Sequence, residues 1–324
     1  MSDKTKGIIA ATAAGAAVAT AALTVPPVIM QRVACARGRE FKLSDAFKSK
    51  DRKSKRSMLE VKRKVREIKQ REYESVEIES YDGLKLKGKY FANPQKAKRL
   101  IICFHGYRSS DYHDFSYSFD YWFERGFDIL LVTQRAHGES EGKYITFGIK
   151  ERFDCKSWVE YAVKRFKKNV EILLEGVSMG ATTVLMASSL KLPKNVKAIV
   201  ADCGFISPFE ILKHVMKKSY KLSAFPYLYL TSAASGLLAG FGFKDASTVD
   251  AVKRTDIPIF FAHGSSDGFV PCRMSIDAFD ACASDKKLFI AGGADHALSY
   301  VVQKSDYERT LGEFLSKYIK NFKI

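Results

Sequence analysis

Gly176-Val177-Ser178-Met179-Gly180 sets a serine between two glycines, after the apolar run Ile172-Leu173-Leu174 and before Ala181–Ala187, which can continue as a helix. A strand that turns sharply into a helix exposes the serine hydroxyl beyond the sheet edge, provided the flanking residues are small. A hydroxyl is a poor nucleophile at neutral pH unless a base takes its proton. The chain has six histidines that could serve and several carboxylates that could orient one. Candidates stand where apolar runs end: His105-Gly106-Tyr107, Gln134-Arg135-Ala136-His137-Gly138, Asp202-Cys203-Gly204, His263-Gly264-Ser265-Ser266-Asp267 and Ala294-Asp295-His296. The five-residue motif alone carries little weight, because short patterns recur by chance.

Bringing those groups to one place requires a sheet. Ser75–Ser80 and Leu84–Phe91 alternate around the turn Tyr81-Asp82-Gly83, which predicts an antiparallel hairpin. Apolar runs follow at Leu100–Phe104, Ile129–Val132, Ile172–Leu174, Ala198–Val200, Ile257–Ala262 and Lys287–Ile290. Helical patterns near Asp114–Arg125, Ile149–Lys168 and Ala181–Lys191 separate the earlier runs, and a last helix spans about Ser305–Lys320. This alternation predicts an α/β domain over residues 75–324, with a mostly parallel central sheet and helices on both faces. Functional loops of such a sheet gather beyond the carboxyl ends of its strands. Residues 205–254 are too long for one crossover and rich in Phe, Tyr and Leu. They predict an inserted helical cap over that edge, the alternative being an enlarged crossover helix.

On these residues the chain resembles the α/β-hydrolase superfamily from about Ser75 to the C-terminus. The resemblance implies a serine hydrolase acting on an ester or related acyl bond, with Ser178, Asp267 and His296 in that family's order. His296 would take the serine proton, and Asp267 would hold the imidazole tautomer and stabilise the imidazolium. The backbone N–H groups of Tyr107 and Met179 would receive the oxyanion. Asp202 is the reserve acid; Asp295 is expected to point away. His105 and His137 are expected to brace their loops, His263 to be structural, and His113 and His214 to lie elsewhere. Two departures stand out: Thr133 where many relatives have aspartate two residues before the loop arginine, and the aromatic Tyr107 after His105-Gly106. No metal or organic cofactor is implied. Thioesterase and peptidase chemistry are alternatives, as is a non-catalytic membrane scaffold that keeps the fold.

The N-terminal residues have another character. Gly7–Gln31 carries no charge, and Pro26-Pro27 predicts a helix end at or before Val25. Gly7–Val25 could reach about 28 Å, near the hydrocarbon thickness, so residues 1–31 read as a single-pass membrane anchor. A cleaved signal peptide is the alternative, with Ala34-Cys35-Ala36 as its site. Gly7, Ala11, Gly15 and Ala19 repeat every fourth residue, which permits a homodimer through the anchor or reflects alanine-rich composition alone.

The formal charge of +17 is concentrated: Arg32–Arg71 holds sixteen Lys/Arg against five Asp/Glu. This predicts a basic juxtamembrane linker over residues 32–74, lying against an anionic leaflet with the domain in the cytoplasm. No nucleic-acid-binding motif accompanies the charge. Met58, Val61, Val65 and Ile68 mark an amphipathic helix within it, suited to the membrane or to the domain. Six scattered cysteines without metal-ligand spacing read as buried thiols in a reducing compartment.

Overall fold

Residues Arg99–Phe104 and Glu171–Val177 lie side by side, and most of their side chains are buried. Leu100, Ile102 and Phe104 enter one hydrophobic layer, Ile101 and Cys103 the other. A strand covered on both faces needs apolar residues at successive positions, which is why these segments read as unbroken runs. The computed structural model describes residues 24–38 and 52–323, apart from 97 and 168.

Its sheet has eight strands: β1 (Glu74–Glu79), β2 (Lys85–Phe91), β3 (Arg99–Phe104), β4 (Phe127–Val132), β5 (Glu171–Val177), β6 (Val196–Asp202), β7 (Ile259–Gly264) and β8 (Lys286–Ala291). Their order is β1-β2-β4-β3-β5-β6-β7-β8. The β1–β2 and β2–β4 pairings are antiparallel and the remaining pairs parallel. From β3 the chain goes to β4 on one side and later to β5 on the other. That reversal opens a crevice beyond the ends of β3 and β5, where ligands bind in open α/β sheets.

The helices, in chain order, are α1 (Arg52–Lys69), α2 (Asp111–Asp114), α3 (Phe119–Glu124), α4 (Glu151–Phe166), α5 (Met179–Ala187), α6 (Pro208–Ser219), α7 (Tyr227–Ala239), α8 (Thr248–Val252), α9 (Cys272–Ala281), α10 (Ser299–Val302) and α11 (Lys304–Leu315). Trp158 of α4, Val184 and Leu185 of α5 and Ala278 of α9 cover one face of the sheet. Ile68 of α1, Trp122 of α3 and Phe314 of α11 cover the other. The amphipathic helix α1 therefore packs on the domain, with Lys64 and Arg71 both paired to Asp120 at 2.5 and 3.0 Å. The helix predicted over Asp114–Arg125 is broken into α2 and α3. Ser116 Oγ bonds the His113 carbonyl and Ser118 Oγ bonds Glu175, a local competition that interrupts helices.

A third cluster lies over the carboxyl edge of the sheet. Phe209 and Ile211 of α6 and Leu228 of α7 meet Phe147, Met179 and Phe205 there. Cys35 belongs to the same cluster, because residues 24–35 are helical and dock against α7, with Thr231 Oγ1 3.9 Å from Met30 Sδ. Residues 24–35 carry Pro26 and Pro27 in the first described turn of their helix, where the N–H groups have no intrahelical acceptor and proline is tolerated. The helix end expected at or before Val25 adjoins residues outside the described ones. Pro27 and Cys35 are buried against the domain. Most of the predicted span Gly7–Val25, with its small-residue ladder, lies outside the described residues. Among the described residues, no helix is long and apolar enough to cross a membrane. None of the six cysteines is in a disulfide, and five are buried.

Candidate active site

Ser178 sits between β5 and α5 with φ 55° and ψ −116°, a conformation that costs an L-residue about 1–3 kcal/mol. The turn is held from both sides: Ser178 N–H donates to the Asp202 carbonyl at 2.8 Å, and Thr182 N–H donates to the Ser178 carbonyl at 3.0 Å. The two glycines of the motif are steric requirements. A Cβ on Gly176 would lie 2.3 Å from the Gly180 carbonyl oxygen, and one on Gly180 would lie 1.7 Å from that of Phe104. Both obstacles are backbone and cannot swing aside. The serine is mostly buried yet reaches the next group in the chain.

That group is His296. Ser178 Oγ donates to His296 Nε2 at 3.0 Å, and His296 Nδ1 donates to Asp267 Oδ2 at 2.7 Å. This network assigns the tautomer, because Nε2 can accept from the serine only if Nδ1 carries the proton. Gly264 allows the two loops to meet; a Cβ there would lie 2.3 Å from the Ala294 carbonyl oxygen. Asp295 turns its carboxylate away from the imidazole ring. Its Oδ1 accepts from Gly268 N–H and His296 N–H at 3.0 and 2.8 Å, tying the acid loop to the histidine loop.

Asp267 accepts four hydrogen bonds. Phe269 and Val270 N–H reach Oδ1 at 2.8 Å each, while His296 Nδ1 and His263 Nε2 share Oδ2. Burial alone would push this carboxyl up; the hydrogen bonds from His263 and His296 outweigh it and hold the group well below the usual carboxylate range. His263 is therefore more than a strand-end packing residue. Its Nδ1 faces Ser275 Oγ at 2.7 Å, and its Nε2 lies 3.0 Å from both Asp267 Oδ2 and the Val270 carbonyl. Sequence spacing places His263 near Asp267 but gives no sign that it shares the carboxylate oxygen used by His296.

The reserve acid Asp202 has a different partner. Ser299 Oγ donates to its Oδ1 at 2.9 Å, and burial pushes its carboxyl up. It anchors the helix that follows His296. Cys203, Asp267 and His296 place ligand atoms within 4.8 Å of one another. Burial pushes the Cys203 thiol well up, and the Asp267 oxygens are already committed to four donors. The donor set fits a hydrogen-bonded relay better than a metal site.

Opposite the imidazole stands the loop after β3. A Cβ on Gly106 would lie 3.4 Å from Ser178 Cβ, so Tyr107 follows immediately beside the serine. Met179 begins α5 and is one of the four residues whose N–H a helix leaves without an intrahelical acceptor. Asp114 Oδ2 accepts from Gly106 N–H at 2.6 Å and fixes the loop, a role with no sequence signature. His105 and His137 brace it, as expected. His105 Nδ1 bonds the Gly106 carbonyl, and His137 Nε2 accepts from Arg108 N–H at 2.9 Å. Burial, reinforced by the neighbouring His105, pushes His137 down to about 3, so it is neutral at physiological pH. Gln134 links the loops: its N–H donates to His105 Nε2 and its Oε1 accepts from Thr183 Oγ1. Arg135 pairs with Asp82 and Asp154. His113 is drawn in only through Asp114, at 2.9 Å.

One contact set had no precursor in the sequence. Tyr107 Oη donates to the Ala34 carbonyl at 2.8 Å, while its ring stacks on Phe147. Arg108 Nη2 donates to the carbonyls of Val33 and Ala36. Ile145 N–H donates to the Cys35 carbonyl at 2.6 Å, and Arg37 donates to the Ser140 carbonyl at 2.7 Å. Residues 33–37 thus form a strap across the loop that carries Tyr107.

Known proteins match this arrangement. The sequence model of a family described as serine aminopeptidase, S33, matches residues 95–235, which include Ser178 but neither Asp267 nor His296. The uncharacterized protein YqkD of Bacillus subtilis (strain 168) is 26% identical over 238 residues, 74% of this chain and 77% of that one. Among solved structures, the esterase Pf2001 of Pyrococcus furiosus is 26% identical with a TM-score of 0.63, covering 76% of this chain and 91% of that one. The α/β hydrolase GrgF from Penicillium sp. sh18 shares the fold at 21% identity and a TM-score of 0.57, covering 76% and 99% of the two chains. A chain that folds in this strand order around this turn, and aligns with such relatives over about three quarters of its length, belongs to the α/β-hydrolase superfamily.

Proposed function

We propose that the chain is a serine hydrolase that cleaves an ester or related acyl bond through an acyl-Ser178 intermediate. The observation that carries this reading is the continuous hydrogen-bonded line from Ser178 Oγ through His296 to Asp267. As Ser178 Oγ bonds to the acyl carbon, its proton passes to His296 Nε2, and Asp267 stabilises the resulting imidazolium. The N–H groups of Tyr107 and Met179 receive the oxyanion, each such donor lowering the barrier by about 3 kcal/mol. His296 then protonates the leaving alcohol. In the second half a water gives its proton to His296 and bonds to the acyl carbon; the Ser178 Oγ–acyl bond then breaks, His296 returns the proton to Oγ, and the acid leaves.

Ester chemistry is favoured over aminopeptidase chemistry by the apolar character of the cap, whose carboxylates Glu210, Asp245 and Asp250 stand near its two ends and are engaged by Lys213, Gly242 and Ser247. The buried cluster of Phe147, Phe205 and Phe209 over the carboxyl edge of the sheet suits an apolar acyl group. The test is hydrolysis of p-nitrophenyl butyrate together with labelling by a fluorophosphonate. Ser178→Ala is expected to lower kcat/KM by about 10⁴-fold or more while the protein stays folded, and to abolish labelling. Wild-type protein that neither labels nor turns over the ester, under conditions where it is folded, would sink the reading.

The uncharged run Gly7–Gln31 and the basic stretch after it support a membrane-anchored protein with its domain on the cytoplasmic side. Protease protection in intact against lysed cells tests that placement. Degradation of the domain in intact cells would reverse it.

A further inference from the structure

Helix α7 breaks the usual rule for a surface helix. Its inner side is set by Leu228, Thr231, Ser235 and Ala239, all buried, and the opposite side should be polar. Instead the helix contains no charged residue at all, and Leu237 on its outer side is 90% exposed. Phe225, just before the helix, is 73% exposed. The segment 24–35, joined to α7 through Met30 and Thr231, continues the pattern, with Val25, Ile29 and Val33 exposed at every fourth position. Among the described residues nothing covers this apolar face, and an exposed apolar face of this extent marks an interaction site.

Charge decides between the possible occupants. From Ile211 to Lys244 the chain has five lysines (Lys213, Lys217, Lys218, Lys221 and Lys244), every one exposed, and no carboxylate. Arg32 is exposed on the 24–35 segment. A two-fold contact with a second copy would set these cations against one another. An anionic bilayer accepts both components, taking the apolar side chains at its acyl boundary and the lysines among its headgroups. The face also adjoins the reacting groups. Lys218 Nζ donates to the Gly268 carbonyl, and the next residue, Phe269, is half-exposed with its ring against that of His296 at 5.2 Å.

We propose that the outer face of the cap, continuous with the helical segment 24–35, docks on an anionic bilayer and holds the mouth of the Ser178 site at the lipid interface. The docking does not depend on acyl-transfer chemistry, and its test uses no turnover. The full chain carrying L237W is reconstituted with vesicles of phosphatidylcholine and phosphatidylglycerol, with and without bromine on the acyl chains. Trp122 and Trp158, the two native tryptophans, are almost fully buried and form a constant background. Bromine is expected to remove most of the emission that L237W adds, and Y229W on the same helix is the companion variant. Replacing phosphatidylglycerol by phosphatidylcholine, or introducing K217E/K218E/K221E, is expected to weaken the quenching severalfold. Chain that floats with the vesicles while both added tryptophans stay unquenched overturns the proposal, since the N-terminal run then tethers the domain with the cap held off. Quenching indifferent to phosphatidylglycerol and to the lysine reversals also overturns it. So does cross-linking of two copies through this face.

Discussion

His263 and His296 compete for one oxygen of Asp267, and that competition sets how strongly the carboxylate can support an imidazolium on His296. Replacing His263 by Phe removes one donor. The Asp267 Oδ2 atom then has His296 Nδ1 as its one remaining imidazole partner. The same substitution leaves the carboxylate less firmly placed, so kcat at the pH optimum should fall about 10-fold, equivalent to one hydrogen bond of about 1.4 kcal/mol, with KM unchanged. His263→Asn, which keeps a donor, should restore part of the loss. A purely structural His263 would alter stability without lowering kcat of the folded protein. The composition of the reacting line was legible because a nucleophile turn and its partners occupy strand ends in a fixed order. The partners of those partners, His263 and Asp114, were not, because their roles depend on which atoms two folded loops bring within 3 Å.

β5 carries a second buried carboxyl three residues before the serine. Glu175 Oε2 accepts from Trp122 Nε1 at 2.9 Å, Ser118 Oγ at 3.3 Å and Cys103 Sγ at 3.6 Å. Burial outweighs these bonds and lifts the carboxyl from 4.5 to about 7. Between those values the folded chain holds a proton that the unfolded chain has released, so stability declines as pH rises and levels off above about 7. The loss amounts to roughly 3 kcal/mol across that window. Urea unfolding at about pH 5 and about pH 8 measures it, and Glu175→Gln should shrink the difference by that amount because its side chain does not titrate, leaving the share of the other raised carboxyls, Asp154 and Asp202. Secondary structure was most legible for the interior strands, where burial on both faces forces continuous apolar residues. It was least legible where a local bond or a distant contact overrides propensity. The helix predicted over Asp114–Arg125 is divided where Ser116 bonds the His113 carbonyl and Ser118 reaches Glu175 of β5, and residues 24–35 are helical because they dock on the domain.

Across the molecule, the described residues that precede the sheet, 24–38 and the helix α1, pack on the domain. Val61 and Ile68 of α1 are buried, and the strap 33–37 holds the Tyr107 loop. A chain beginning at Gly38 should keep its sheet but lose at least about 10-fold in kcat/KM, because several bonds of about 1 kcal/mol each around Tyr107 and Arg108 disappear. A chain beginning at Thr24 should retain activity on a soluble ester. Parallel ester assays and thermal melts of the two chains separate the outcomes, and equal activity would show that the strap does not position the loop. The net charge of +17 gave no hint of this arrangement, because charge counts describe solvation and long-range attraction and not which backbone carbonyls are covered.

The strap also bears on how the protein is made. A processing peptidase takes its substrate as an extended, accessible segment, and Ala34-Cys35-Ala36 matches the residue types such an enzyme selects. In the folded chain that tripeptide is shut away: Cys35 is fully buried, and all three carbonyls accept hydrogen bonds from Tyr107, Ile145 and Arg108. Any cut there has to come before the domain closes over it. Cleavage at this tripeptide and docking of the strap on the Tyr107 loop therefore exclude one another.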